Sequence, residues 1–214
     1  MDFAHVPAGP FSMGWEVGHP CERPVHEVWL DAFRVATTPA TNADYARYLA
    51  ATGAPPPRFW NDPAFADPRQ PVVGLSWDEA VQFAEWAAAR LPTEAEWEKA
   101  ARGGLDGARY PWGDARPAAT FERPPRVGET PANPLGLTDL AGVVHEWCAD
   151  WFDDGYYGSS PSRNPRGPAA GSRRVSRGGA WRHDDPWSPV AHRSSLPPQL
   201  RYSDYGVRLA RDAE

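Results

Sequence analysis

Residues 71–104 read PVVGLSWDEAVQFAEWAAARLPTEAEWEKAARGG, and the reading of this stretch decides the fold. It holds two capping boxes, Ser76-Trp77-Asp78-Glu79 and Thr93-Glu94-Ala95-Glu96, in which a hydroxyl and a carboxylate three residues apart each accept a backbone N–H left free at a helix start. Behind the first, Trp77, Ala80, Val81, Ala84, Ala88 and Leu91 recur at helical spacing as far as Pro92, which cannot continue a helix. Behind the second, Trp97, Ala100 and Ala101 turn inward until Gly103-Gly104 ends the segment. The expectation is two helices meeting almost end to end at a proline corner.

Upstream, Thr41 caps a further helical segment with an apolar stripe of Tyr45, Tyr48 and Leu49, closed by Gly53. The next segment, APPPRFWNDPAFADPRQP, carries six prolines and so reads as a long loop pinned by Phe59, Trp60 and Phe65. At the start of the chain, Phe3 to Met13 reads as two short strands around Pro7-Ala8-Gly9. A strand from Val25 sets His26, Val28 and Leu30 on one face and Glu27, Trp29 and Asp31 on the other, which predicts packing on both sides and a structural role for His26.

Downstream, Arg174 to Arg193 reads RVSRGGAWRHDDPWSPVAHR, a basic strand that runs into a double glycine. Gly178 and Gly179 suit a tight bend or a close approach of backbone. Polar groups interleaved with Trp181 and Trp187 then fit either a ligand-contacting loop or an irregular loop packed into its own protein.

Composition bounds the rest. The 214 residues, without a serine-rich, glycine-rich or single-charge linker, read as one domain over 1–214. Pro 25 and Gly 19 stay below the disordered range and 11 tryptophans demand a core, so a loop-rich fold is expected. A net charge of −6 gives no support to a nucleic-acid partner, and no apolar run is long enough to span a bilayer. No secretory leader is legible, which makes the cytoplasm the default compartment. Two cysteines, Cys21 and Cys148, allow at most one disulfide and no repeated Cys-x-x-Cys zinc pattern. The cations are arginines except for Lys99, and ten of them gather from Arg163 to Arg211, where paired donors can grip carboxylates or phosphates; a basic face balanced by acidic helices is the plainer reading.

The stretch 71–104, followed by YPWGD, NPLGLTDLAGVVHEWCADW, VSRGGAWR and YGVRLA, closely resembles the formylglycine-generating enzyme, or sulfatase-modifying factor, family. VPAGPFSMG and ERPVHEVWLDAF extend the resemblance to nearly the whole chain. It implies an α+β fold of the C-type-lectin-like kind, with short strands, two main helices and much ordered loop. Family members include oxidases that convert a sulfatase cysteine to formylglycine, the lectin-like domain of sulfoxide synthases, and variable receptors of diversity-generating retroelements. The oxidases hold copper(I) through two cysteines after the double glycine. Here that segment has none, with His183 and Ser188 within it and Ala180 in place of the family serine, and soft thiolates are what select copper(I). Copper and formylglycine generation are therefore not expected. Sulfoxide synthases draw iron ligands from a helical domain not legible here, and histidines 5, 19, 26, 145, 183 and 192 show no recognised ligand spacing.

The turn GLTDLAGVVHEW resembles a family calcium site, which places the carboxylate at Glu146 and carbonyls at Gly142 and Val144; Val143 replaces the family asparagine. The alternative is that Glu146 accepts bonds from its surroundings while Trp147 and Trp151 pack the core. The expected role is a binding module for a small anionic ligand or a protein surface, of the variable-receptor kind. Its face is assigned to Trp181, Arg182, His183, Asp184, Trp187, His192, Arg193, Arg201, Tyr202 and Tyr205, between the double glycine and the last strand. The competing reading has Arg193 and Arg201 bonding their own loop's carbonyls. The alternative function is an oxidoreductase that uses another metal or a partner-supplied one.

Overall fold

Each expected hydroxyl cap starts a helix in the computed structural model, which describes residues 1–117, 120–183 and 187–213. Helix α1 (Asn42–Thr52) follows Thr41, α2 (Trp77–Trp86) follows Ser76 and α3 (Glu94–Arg102) follows Thr93, with both halves of the capping box formed in all three. Among the described residues these three α-helices match the three capped segments read from the sequence. Helix α2 stops at Trp86, short of Pro92, and Ala88 takes a φ of 49°. Tertiary pairing overrides the periodicity here. Arg90 and Ala210 exchange two backbone hydrogen bonds of 2.9 and 2.8 Å, so Leu91 is buried from a bridged connection, and the proline corner does not form.

The opening strands β1 (Phe3–Val6) and β2 (Gly9–Met13) each find a separate partner: β2 pairs with β3 (His26–Leu30) and β1 with β4 (Phe33–Ala36). On β3, Val28 and Leu30 are buried while Glu27 and Trp29 are exposed, which corrects the expectation of packing on both faces. The outer face is only lightly covered, by Arg163 over the Trp29 ring, 5.8 Å from its centroid, and by Arg163 and Asn164 on the Asp31 carboxylate. His26 is structural, its ring 4.8 Å from that of Tyr157.

Strand β5 (His145–Trp151) is central to a four-stranded sheet of order β7-β6-β5-β8, built with β6 (Arg174–Arg177), β7 (Ser194–Leu196) and β8 (Tyr205–Gly206). It pairs antiparallel with β6 and parallel with β8. The last strand, β9 (Ala210–Asp212), lies beside β4, so both ends of the chain share one sheet. Alternation along β5 sends side chains to two cores. Trp147 packs with Tyr45, Phe83, Val207 and Leu209, and Cys148 with Val28, Phe33, Trp97 and Val175. Trp151 is half-buried and stacks with Trp77 around the Arg174 guanidinium, which lies 3.5 and 3.7 Å from the two ring centroids.

Helix α3 meets β6 through charge. Arg177, fully buried, donates to Glu94 at 2.8 Å and Glu98 at 2.6 Å. Arg193 holds both oxygens of Glu94, at 2.7 and 2.9 Å, and Arg102 bonds Glu98 at 2.7 Å. Burial pushes the pKa values of both carboxyls up, but the adjacent guanidinium groups outweigh it and hold them below the ordinary glutamate value. Asp150 lacks such a partner. It accepts the Glu94 N–H at 2.8 Å, and burial, helped by the Glu94 charge, pushes its carboxyl up to about 8.

The double glycine bends the chain as expected. Gly178 and Gly179 have φ of 93° and 66°, and a Cβ on Gly178 would lie 3.1 Å from the Leu140 carbonyl and 3.3 Å from that of Val144. Gly178→Ala therefore combines a strained φ with crowding against backbone and is expected to cost about 2–3 kcal/mol in urea unfolding. Gly104→Ala, with a φ of 88° but open space, should cost about 1 kcal/mol.

The Asp150 carboxyl also makes a pH prediction. Its folded pKa lies above its ordinary value of 3.8, so the folded state binds more protons than the unfolded one across that interval, and stability is lost as pH rises towards about 8. Between pH 6.5, the ordinary histidine value, and pH 8, Asp150→Asn should flatten the decline measured by thermal unfolding.

Candidate functional site

The residues expected on one face divide into two groups. Strand β7, which its three short residues SSL did not announce, pairs with β6 and splits the segment after Gly179 into two arms, 178–193 and 197–204. The tip of each arm arrives at β5. Trp181 N–H donates to the Val143 carbonyl at 3.2 Å, and His145 N–H to the Asp204 carbonyl at 2.8 Å.

Five predicted residues gather there around two others, His145 and Asp204. Tyr205 stacks on His145 with ring centroids 4.7 Å apart, and the Nε2 atoms of His145 and His183 are 3.3 Å apart. Arg182 Nε lies 2.9 Å from Asp204 Oδ2 as an ion pair, and its guanidinium lies 5.7 Å from the Tyr202 ring centroid. Trp181 packs its ring against Phe65 at 6.2 Å. His145 and Asp204 are buried, whereas the Arg182 side chain is 46% exposed and Tyr202 is 39% exposed. Burial pushes the His145 imidazole down to about 3, with the neighbouring His183 adding to the effect, so it is neutral at pH 7.

The other predicted residues stand elsewhere. Trp187 is buried, edge-on to Trp112 at 5.6 Å, and belongs to a small aromatic core with Phe121 and Tyr110. Arg193 is buried on Glu94 and also donates to the carbonyls of Cys21 and Asp153, so its reach is spent inside the protein. Arg201 is paired through Nε and Nη2 with Glu79 of the α2 cap, at 2.9 and 3.0 Å. These contacts correct the expectation that Trp187, Arg193 and Arg201 present themselves to a ligand. The competing reading for the arginines was also incomplete, because both take carboxylates besides carbonyls. His192 bonds Glu22 at 3.2 Å and, with His19, lines a cavity of about 700 Å³ beside Cys21 and Arg173. Asp184 lies outside the described residues.

Glu146 faces away from this group. Both its oxygens accept from the buried Arg208 guanidinium, and Oε2 also accepts from Trp97 Nε1. The neighbouring turn is closed by backbone, with Gly142 N–H on the Gly178 carbonyl at 2.9 Å and the Val144 carbonyl lying against Gly178. The positive charge that calcium would bring to Glu146 is thus already supplied by Arg208. Nor do the cysteines fit the copper(I) that the family resemblance implies. Both are free, Cys148 lies in the core with Sγ 3.9 Å from the Glu146 carbonyl, and burial raises both thiol pKa values, which disfavours the thiolate form.

Short strands in three sheets, capped helices and C-terminal loops gathered at β5 and β8 define an α+β domain of the C-type-lectin-like class. The chain belongs to the family described as the sulfatase-modifying factor enzyme 1-like domain, whose model matches residues 1–213. It is 36% identical over 278 residues to the formylglycine-generating enzyme of Streptomyces coelicolor, covering 98% of this chain and 88% of that protein. It is 38% identical to the serine/threonine-protein kinase pkn1 of Chlamydia pneumoniae over 97% of this chain, but spans only 37% of the kinase. Among solved structures, variable protein 1 of Treponema denticola superposes with a TM-score of 0.85 at 26% identity, covering 99% of this chain and 95% of that one.

Sequence reasoning set His145 aside with the other histidines for want of a ligand spacing, and missed Asp204. His145 sits in the strand HEWCADW, whose alternation is masked because both faces are buried, and Asp204 lies between Tyr202 and Tyr205, where no sequence pattern singles it out. The pairing of β5 with β8 brings them together, and no local pattern encodes it.

Removing the Glu146 carboxylate leaves a buried guanidinium unpaired. Glu146→Ala is expected to lose about 3–5 kcal/mol in denaturant unfolding. Millimolar calcium is expected to leave the wild-type melting temperature unchanged, and a calcium-dependent rise abolished by Glu146→Gln would contradict the assignment to Arg208.

Proposed function

We propose that this chain is a non-copper member of its family that acts as a binding module, taking an anionic ligand on the face formed by Trp181, Arg182, His183, Tyr202 and Tyr205. The observation that carries this reading is the placement of Arg182. Arg182 and Arg201 of the predicted face are both partly exposed, at 46% and 40%, but Arg201 engages Nε and both Nη atoms within the protein, whereas Arg182 is paired to Asp204 through Nε and lies beside an exposed aromatic ring. A guanidinium held on one side presents its remaining donors to a carboxylate or phosphate, and the Tyr202 ring offers an apolar surface to the rest of the ligand. The similarity to a variable protein supports a face that changes its side chains over a fixed backbone. A diversified copy of residues 181–205 would be recognised by a near-identical template repeat beside a reverse transcriptase gene.

A second reading, an oxidoreductase using a metal other than copper, is favoured by the His145–His183 pair and by the similarity to a formylglycine-generating enzyme. It is separated from the first by turnover with a thiol-containing peptide under oxygen.

Tyr202→Ala removes a side chain at the rim and is expected to shift stability by no more than about 0.5 kcal/mol, whereas Arg182→Ala also takes the ion-pair partner from the buried Asp204 carboxylate and is expected to cost about 1–3 kcal/mol while the domain stays folded. Against a panel of small carboxylates and phosphate esters, the wild type should show saturable binding that both variants lose. Unfolding by either substitution would make these residues scaffold and end the proposal.

A further inference from the structure

Among the described residues, three buried polar atoms at the candidate site have no hydrogen-bond partner: His145 Nδ1, Trp181 Nε1 and Asp204 Oδ1. Buried polar groups are nearly always satisfied, so such a concentration calls for an explanation. Two of these residues, His145 and Asp204, belong with His183 to a group of potential ligands, to which His145 turns Nε2 rather than its unpartnered Nδ1. His145, His183 and Asp204, from β5 and the two loop arms, bring one ligand atom each to within 4.8 Å of one another.

We propose that His145, His183 and Asp204 form a binding site for one divalent transition-metal ion of the zinc, cobalt or iron(II) type. Two imidazole nitrogens bound at about 2.1 Å to one tetrahedral ion stand about 3.4 Å apart; the Nε2 atoms here stand 3.3 Å apart. Two imidazoles and a carboxylate are the donor set that borderline divalent ions prefer, in contrast to the thiolates of copper(I). Arg182 occupies Asp204 Oδ2 and leaves Oδ1, desolvated and without a partner, as the donor. This second contact is the outer support that metal-ligating carboxylates usually carry. Three protein donors leave at least one coordination position for water or an anion. The half-exposed Arg182 and Tyr202 beside the site mark its solvent side.

Among the described residues one other such group occurs, His19, Glu22 and His192. Its carboxylate is already engaged, with Glu22 Oε2 on the His19 N–H at 3.1 Å and Oε1 on His192 Nδ1 at 3.2 Å, and no atom in it is buried and unpartnered. That group serves as the internal control. The proposal does not depend on either functional reading, because the metal alone is the probe.

The test is isothermal titration of chelator-treated full-length chain with zinc(II), repeated with cobalt(II) while its visible absorption is followed. The expected result is one ion per chain, with stoichiometric binding and the cobalt absorption both lost in His183→Ala and in Asp204→Asn and kept in His19→Ala. Circular dichroism of each variant establishes that it is folded, and His183→Gln replaces any variant that is not. Absence of stoichiometric binding by the wild type would overturn the proposal and leave a histidine–histidine hydrogen bond only. Binding unchanged in His183→Ala, or lost instead in His19→Ala, would overturn it equally.

Discussion

The structure depends on the positive charge of Arg177, which is withdrawn completely from water between Glu94 and Glu98. A buried guanidinium without carboxylates costs several kcal/mol, so β6 can occupy the centre of the protein only where α3 presents its first turn and the next. The same carboxylates reach further. Glu98 accepts the Gly14 N–H at 2.8 Å, and Arg102, held by Glu98, donates to the Gly14 carbonyl, which ties the end of β2 to α3. Arg193, held by Glu94, reaches the Cys21 and Asp153 carbonyls. In a chain whose regular elements are short, this network supplies directional contacts that apolar packing lacks. Arginine suits the task because its planar fork bonds two partners at once; the sole lysine, Lys99, serves instead as a point donor to the Pro7 and Gly9 carbonyls.

The network also fixes where the site can be. With β6 held, the backbone leaves it at Gly178, turns under the carbonyls of Leu140 and Val144, and delivers Trp181 to β5. Strand alternation then separates two chemistries on adjacent residues of β5. Glu146 points to Trp97 and Arg208 and closes the interior, whereas His145 points to Tyr205, His183 and Asp204. One strand thus carries a satisfied ion pair on one face and a group with unpartnered donors on the other. Rigidity on the first face holds the second in place.

What the sequence makes legible follows from the range of the interactions. Capping boxes are complete within four residues, so the starts of α1, α2 and α3 are readable, as is the bend at Gly178-Gly179. The end of α2 is not, because the pairing of Arg90 with Ala210 joins residues far apart in the chain. Strand β7, three residues long, is hidden for a similar reason, and with it the division of the C-terminal loop into two arms. Without that division the predicted face merged two environments. Its Trp181, Arg182, His183, Tyr202 and Tyr205 do gather, while Trp187 and Arg193 belong to the interior. The family resemblance conveyed the C-type-lectin-like class, but it carries residue roles only where the residues match, and the segment after Gly179 does not match.

Arginine type alone therefore says little about function in this protein; what each guanidinium has already bonded says more. Arg177, Arg193 and Arg208 are buried with carboxylates on more than one donor, and a ligand could recruit them only by breaking the core. Arg201 is held by Glu79 of the α2 capping box, a contact that also lowers the Glu79 pKa against the opposing effect of burial. Among the described residues Arg182 makes one ion pair, through Nε, and its side chain is 46% exposed. Its carboxylate partner is in turn the one whose second oxygen is buried without a partner, next to two imidazoles. Capacity left unused by the scaffold is what a site requires, and among the described residues the half-exposed guanidinium of Arg182 and the unpartnered Oδ1 of Asp204 belong to the same ion pair.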